Sequence, residues 1–116
     1  MIKTILIVED DPFIALDLQD IFEDAGFKVL GPVAQLGAAM EISQDVTIDV
    51  AMLDYNLGHE TSIPLAVVLE EREIPYLFLT GQISKVVLNR LKESRKVISK
   101  PFDPENLVKS VENLFH

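Results

Sequence analysis

The sequence has no cysteine, few basic residues and no long apolar run, and each absence removes a class of function. Without cysteine, disulfide bonds and thiolate chemistry are excluded. The 10 lysines and arginines stand against 19 aspartates and glutamates, and the net charge of −9 disfavours unaided binding to nucleic acid. No stretch reaches the roughly 18 apolar residues that span a bilayer, so no membrane segment is predicted. The chain also starts without a signal-peptide pattern, which predicts a cytoplasmic protein.

Short apolar runs alternate with longer amphipathic segments along the chain. The apolar runs predict strands at 5–8, 27–30, 48–53, 75–79 and 97–98. The amphipathic segments predict helices at about 14–25, 35–46, 65–69, 84–93 and 104–115. Because continuous apolar runs indicate strands buried on both faces, we predict an α/β fold, a doubly wound five-stranded parallel sheet with five helices. Residues 1–116 are expected to form one domain.

Specific residues mark the ends of some of these elements. Gly31 and Pro32 are expected to stop the second strand. The last helix has Asp103 placed as its N-cap, Pro104 at its first position and Glu105 in its first turn. These signals predict a sharp start for the last helix.

Polar residues follow four of the five predicted strands. They are Glu9, Asp10 and Asp11 after the first strand, Asp54 and Asn56 after the third, Thr80 and Gly81 after the fourth, and Lys100 and Pro101 after the fifth. Each group alone has an ordinary structural explanation, since acids cap helices, glycines form turns and lysines are solvated in loops. In a parallel sheet, however, the carboxyl ends of the strands meet at one edge, where ligands bind. We therefore predict that these residues form one site.

The predicted site is rich in carboxylates and has no cysteine or histidine pair. Carboxylates brought close together repel one another unless a cation is bound, and ligands that are all oxygens suit Mg²⁺. Lys100 could pair with a phosphate group and Thr80 could donate a hydrogen bond to it. The arrangement indicates phosphoryl transfer to a carboxylate, with Asp54 as the best candidate nucleophile because it lies centrally. The residues alone leave open whether Asp54 is the nucleophile or a metal ligand.

Four motifs occur in an order and spacing that match a known family. They are V-E-D-D at 8–11, M-L-D-Y-N-L at 52–57, L-T-G at 79–81 and K-P-F at 100–102. On these motifs the chain resembles the receiver (CheY-like) domain of two-component response regulators over its whole length. The resemblance implies a flavodoxin-like fold, in agreement with the sheet predicted from the apolar runs.

The resemblance also implies roles for individual residues. Asp54 would accept a phosphoryl group, in a Mg²⁺-dependent reaction, from the phosphohistidine of a sensor histidine kinase or a histidine phosphotransferase. Asp10 would bind the metal directly, Glu9 mainly through water, and Asn56 through its backbone carbonyl. Asp11 falls just outside the acidic pair and is assigned to the start of the first helix.

Two further positions match the family pattern at the phosphoryl group. By resemblance, Thr80 and Lys100 would contact that group, and the bond between Lys100 and Pro101 would be cis. Together with Asp54 they make up the set that would carry the reaction.

The chain departs from most receivers in three respects. Val97 stands where most members carry a tyrosine or phenylalanine that swings inward on activation. The stretch from Asp54 to Thr80 is shorter than usual by about one helical turn. The F-L-T-G sequence at 78–81 is similar to the F-A-T-G stretch of a subgroup nicknamed FAT GUY, whose members are often single-domain proteins.

The function predicted from this resemblance is a phosphorylation-switched signalling protein without an output domain, not a conventional enzyme. It would bind a downstream protein, pass the phosphoryl group onward or form a homodimer. The predicted fourth helix offers a partner surface with spare aliphatic residues, namely Ile83, Val86, Val87, Leu88 and Leu91. One alternative is an interaction module of the same fold that takes no phosphate. Another is a hydrolase with an aspartyl-phosphate intermediate, although such enzymes commonly need a second acid where Asn56 stands.

Overall fold

The computed structural model describes residues 2–45, 47–81 and 96–115. Within these ranges the strands are β1 (Thr4–Val8), β2 (Lys28–Val33), β3 (Val50–Asp54), β4 (Asn56–Leu57), β5 (Glu60–Thr61), β6 (Tyr76–Thr80) and β7 (Lys96–Ser99). The helices are α1 (Pro12–Asp24), α2 (Leu36–Asp45), α3 (Ile63–Glu71) and α4 (Pro104–Glu112), and a 3₁₀ turn over Asn113–Phe115 follows α4. The helix predicted at 84–93, and the partner surface predicted on it, lie outside the described residues.

Five of the strands form one parallel sheet in the order β2-β1-β3-β6-β7, which confirms the predicted architecture. The central strands β1, β3 and β6 consist of buried residues with one partly exposed position at the start of β1. Strands that are buried on both faces require helices to cover both sides of the sheet. The alternation of side chains along each strand then divides the core into two halves.

The two halves of the core pack on opposite faces of the sheet. Leu6, Leu53 and Phe78 belong to the face covered by α2 and α3. Ile7, Met52 and Leu77, each one position away on the same strands, belong to the face covered by α1 and α4. The helices contribute Ala39, Leu65, Ala66 and Leu69 to the first face and Leu18, Phe22, Leu107 and Val111 to the second.

The helix starts follow the predicted capping signals. Asp11 is the N-cap of α1, and its Oδ1 accepts hydrogen bonds from the backbone N–H groups of Phe13 and Ile14. Asp103 caps α4 by accepting a hydrogen bond from the N–H of Glu105. Each cap satisfies donors that would otherwise lack partners in the first turn. The assignment of Asp11 to the helix start and of Asp103 to the N-cap is therefore confirmed.

The prediction that Gly31 and Pro32 stop the second strand is wrong, because β2 continues through both residues to Val33. The strand is at the edge of the sheet, where a proline without an N–H is tolerated. The pairing with β1 shifts between Leu6 and Val8, opposite this point. Gly31 has φ +96°, and a Cβ there would lie 2.9 Å from the carbonyl oxygen of Ile7, so only glycine fits.

The segment between Asp54 and α3 contains a small antiparallel hairpin made by β4 and β5. Asn56 pairs with Thr61 and Leu57 with Glu60, with Gly58 at φ +71° in the turn. Strands of two residues have no periodicity to detect, which is why the sequence did not reveal the hairpin.

Within the described ranges, none of the helices combines the length and apolar content that crossing a bilayer requires.

Candidate functional site

Three carboxylates meet at the carboxyl edge of the sheet because two strands that end in acids are neighbours. β1 and β3 are paired with Val8 opposite Leu53, so Glu9 and Asp54 emerge side by side. Asp10 follows Glu9 on the loop to α1. One carboxylate oxygen from each of Glu9, Asp10 and Asp54 lies within 4.8 Å of the others. Glu9 is 1% exposed and Asp54 is 5% exposed, whereas Asp10 faces solvent.

Lys100 brings a positive charge to these carboxylates. Its Nζ lies 2.9 Å from Glu9 Oε1 and 3.5 Å from Asp54 Oδ2. Lys100 directly follows β7, and its backbone N–H donates to the carbonyl oxygen of Thr80 at 2.8 Å. That hydrogen bond fixes the base of a side chain long enough to reach across the end of β6. The other oxygen of Glu9, Oε2, accepts a hydrogen bond from the N–H of Asp11 at 3.0 Å.

The crowded negative charge changes the acidity of the nearby groups. The pKa of Asp54 is raised from 3.8 to about 8, chiefly by burial and also by the hydrogen bond and charge of Glu9 and a hydrogen bond with Asp10. The charge of Lys100 opposes this rise without cancelling it. Burial by itself lowers the pKa of Lys100, but the hydrogen bond to Glu9 and the charges of Asp54 and Glu9 outweigh burial and leave the pKa raised. The excess of negative charge at the site therefore favours the binding of a further cation.

These groups line an open cleft of about 770 Å³. Its described walls are Glu9, Asp10, Asp11, Pro12, Phe13, Asp54, Asn56, Gly58, Gly81 and Lys100. The hairpin supplies one wall and the first turn of α1 supplies the wall across from the sheet edge. A cleft of this size can admit a phosphorylated side chain of another molecule together with hydrated ions.

The structure brings together most of the residues predicted for the site. Glu9, Asp10 and Asp54 lie within ligand distance of one another, Lys100 lies within ion-pair distance of Glu9 and Asp54, and Asn56 lines the same cleft. Thr80 lies at the end of β6 and is 3% exposed, and the cleft walls described here do not include it. The peptide bond between Lys100 and Pro101 is cis, as predicted, and so is the one between Gly31 and Pro32.

The sequence analysis missed Phe13, the large apolar residue of the cleft. Phe13 lies in the first turn of α1 and is 81% exposed at the rim of the cleft. The apolar stripe of α1 passes through Ile14, Leu18 and Ile21, and Phe13 falls outside it. A large apolar residue outside the buried stripe was the signal that could have identified it.

Comparison with known proteins gives a consistent result. Residues 5–112 match the family described as response regulator receiver domain. The chain is 29% identical over 113 residues to the phyllosphere-induced regulator PhyR of Methylorubrum extorquens, covering 92% of this chain and 41% of that protein. It is 32% identical over 114 residues to the TorCAD operon transcriptional regulatory protein TorR of Escherichia coli, covering 95% of this chain and 49% of that protein. The chain thus spans about half the length, or less, of these curated relatives.

The fold is also similar to solved receiver structures. The solution structure of SdrG from Sphingomonas melonis Fr1 has a TM-score of 0.83 and 35% sequence identity, covering 99% of this chain and 98% of that one. The receiver domain of a modulated diguanylate cyclase from Desulfovibrio desulfuricans G20 has a TM-score of 0.89 and 27% identity, covering 100% of this chain and 95% of that one.

Proposed function

The chain belongs to the response regulator receiver domain family of two-component systems, and from this premise we propose that Asp54 is its phosphoryl acceptor. The observation that carries the proposal is the position of Asp54. It is a buried carboxylate at the end of a central strand, next to Glu9, Asp10 and Lys100, and it lines an open cleft. A surface acid without such neighbours would lack the charges that phosphoryl transfer needs.

The donor set fits Mg²⁺, which belongs to this proposal. The three clustered carboxylates offer only oxygen ligands, and the raised pKa of Asp54 reflects a surplus of negative charge that a cation would relieve. Asp10 and Asp54 would hold the ion directly, Glu9 through water and Asn56 through its backbone carbonyl. When bound, the ion neutralises charge on the phosphoryl oxygens.

The side chains of this protein would then perform the transfer. A deprotonated oxygen of Asp54 attacks the phosphorus of a phosphohistidine, so that a P–O bond forms while the P–N bond breaks and the imidazole nitrogen takes the electron pair. Lys100, whose Nζ is 3.5 Å from Asp54 Oδ2, is positioned to balance the negative charge that arrives with the phosphoryl group. The hydroxyl of Thr80 would donate a hydrogen bond to a phosphoryl oxygen.

We also propose that the donor is a histidine kinase or a histidine phosphotransferase that approaches over α1. Phe13 is 81% exposed at the rim of the cleft, and Leu16, one turn further along the helix, is 57% exposed. Exposed apolar side chains next to a reactive centre suit a protein partner better than a small metabolite. The protein would then act as a signalling switch in the cytoplasm, by binding a downstream protein or by forming a homodimer. One domain over 1–116 remains a prediction.

Intact mass after incubation with acetyl phosphate tests the central claim. We expect a gain of roughly 80 Da in the presence of Mg²⁺, no gain with EDTA, and no gain for Asp54→Asn. Asp49→Asn is the matched control, because Asp49 precedes the other end of β3 and accepts a hydrogen bond from the N–H of Thr4. Labelling of Asp54→Asn equal to wild type would show that another residue is the acceptor. No labelling of wild type by acetyl phosphate or by any histidine kinase would favour a phosphate-independent interaction module.

The donor surface is tested separately with Phe13→Ser. We expect slower transfer from a phosphorylated histidine protein but unchanged labelling by acetyl phosphate, because the small donor needs no contact with α1. Val67→Ser is the control, since Val67 is an exposed apolar residue, 50% accessible, on α3. Transfer rates from the histidine protein that are equal for Phe13→Ser and wild type would contradict the proposed docking surface.

A further inference from the structure

Three aromatic rings lead from the residue after Asp54 to helix α3. The ring of Tyr55 meets the ring of Phe78 edge to face, with centroids 5.9 Å apart and planes at 71°. Phe78 meets Tyr76 in the same way, at 5.6 Å and 83°. The hydroxyl of Tyr76 then donates a hydrogen bond to Oε2 of Glu70, on α3, at 3.2 Å. The contacts therefore form an unbroken path from the proposed acceptor to the helix.

The first residue of this path is held at both sides of its backbone. The N–H of Tyr55 donates to the carbonyl oxygen of Leu79 at 3.0 Å, and its own carbonyl accepts from the N–H of Ser62 at 3.0 Å. Ser62 immediately precedes α3. A displacement of the backbone at Asp54 would move Tyr55. Through these two hydrogen bonds, it would also move the end of β6 or the start of α3.

The rest of the path is tightly packed. Phe78 is 1% exposed and Tyr76 is 6% exposed. Buried rings in edge-to-face contact respond to small shifts of a neighbour, because close packing leaves no empty space to absorb the shift. On the β7 side, Phe78 is in register with Val97, a small aliphatic residue that packs at the margin of the same core half. Among the described residues, the aromatic rings in contact with Phe78 are those of Tyr55 and Tyr76.

We propose, on the premise that Asp54 is phosphorylated, that Tyr55 is a positioning residue that conveys the phosphorylation state of Asp54 through Phe78 to Tyr76 and α3. A phosphoryl group adds volume at Asp54, the residue covalently joined to Tyr55, and replaces its single carboxylate charge with close to two negative charges. The shift needed to accommodate it changes the angle of the Tyr55 ring against Phe78. The change then reaches Tyr76 and its hydrogen bond to Glu70.

The composition of the chain allows a direct test, because it has no tryptophan and two tyrosines. Tyr55→Phe and Tyr55→Leu each leave Tyr76 as the remaining tyrosine, so that tyrosine emission reports Tyr76 alone. Both variants are phosphorylated with acetyl phosphate and Mg²⁺, and the mass gain is measured on the same samples. We expect Tyr76 emission to change on phosphorylation in Tyr55→Phe, which keeps the ring, and the change to be lost in Tyr55→Leu.

A matched control addresses the loss of an aromatic ring as such. Phe27 is half-buried and meets Phe22 edge to face at 5.5 Å and 86°, in the other half of the core. Adding Phe27→Leu to Tyr55→Phe must leave the emission change intact. If Tyr55→Leu does not fold, Tyr55→Met replaces it, since methionine keeps the bulk without the ring.

The outcomes separate this inference from its premise. Equal emission changes in Tyr55→Phe and Tyr55→Leu, or no change in Tyr55→Phe despite a full mass gain, would overturn the role of Tyr55 alone. A mass gain that is missing in every variant and in wild type would overturn the phosphorylation of Asp54, and the inference with it.

Discussion

The middle of the parallel sheet and its carboxyl edge are built from the same strands, and both are buried. In β1, Ile7 is 0% exposed among aliphatic side chains, whereas Glu9, two residues later, is 1% exposed among charges. Burying Ile7 removes apolar surface from water and stabilises the fold. Burying Glu9 and Asp54 works in the opposite direction, because these charged groups lose hydration that Lys100 and, for Glu9, the N–H of Asp11 replace in part. The edge thus depends on the middle to hold its charges in place.

The largest change in stability is expected in the middle of the sheet. Leu77 is fully buried in β6, and Leu77→Ala should lower the free energy of unfolding by about 3 kcal/mol, through lost apolar burial and the cavity left behind. Urea denaturation monitored by circular dichroism measures it. Val67→Ala, on the exposed face of α3, is the control and should change stability by less than about 0.5 kcal/mol. Equal losses for the two variants would erase the distinction between core and surface on which the comparison depends.

The opposite sign is expected at the edge, where Asp54→Asn should stabilise the protein. The pKa of Asp54 is raised from 3.8 in the unfolded chain to about 8 in the folded protein. Between these values the folded protein holds a proton that the unfolded chain has lost, so stability falls as pH rises through this window. Since the cleft admits water and buffer cations, we expect a fall on the order of 2 kcal/mol without divalent metal, rather than the full value of the shift.

Denaturation curves at pH 5 and pH 9, in EDTA, measure this slope. In Asp54→Asn the slope should be smaller and the stability at pH 9 higher than in wild type. Adding Mg²⁺ should stabilise wild type at pH 9 more than it stabilises the variant, because an ion that binds only the folded state shifts the equilibrium towards it. Identical pH slopes for the two proteins would mean that the pKa of Asp54 is not raised in the folded protein.

The smallest effect is expected beside the site, at Asp11. Asp11→Ala removes the side-chain cap of α1 and should lower the free energy of unfolding by about 1 kcal/mol. Labelling of Asp54 by acetyl phosphate should be unchanged, because Asp11 contributes a helix cap and its side chain is exposed. Loss of labelling in Asp11→Ala would show that Asp11 takes part in phosphorylation as well as in capping α1.

The sequence predicted what depends on long patterns. The apolar runs located the central strands to within a residue or two, and the strand ends identified the acids and Lys100 that meet at the edge. The convergence of the strand ends follows from a general rule for parallel sheets. The assignment of the chain to the single-domain subgroup with a F-A-T-G stretch stays a prediction.

What the sequence did not reveal depends on local geometry. The continuation of β2 through Gly31 and Pro32 is possible because β2 is an edge strand, and strand order is a tertiary property. The hairpin after Asp54 rests on two-residue strands and on one buried anchor, Leu57. The exposure of Phe13 at the cleft depends on the exact turn at which α1 begins, which patterns fix only to within a few residues.

The open edge formed by β2 bears on how this acidic protein behaves at high concentration. An unpaired edge strand is a template on which strands of other molecules can assemble into fibrils. Pro32 offers no donor to an incoming strand, and Gly31 turns the backbone at φ +96° just before it. With a net charge of −9, the molecules also repel one another. Both the backbone at Gly31 and Pro32 and the shared negative charge therefore oppose the addition of further strands at this side of the sheet.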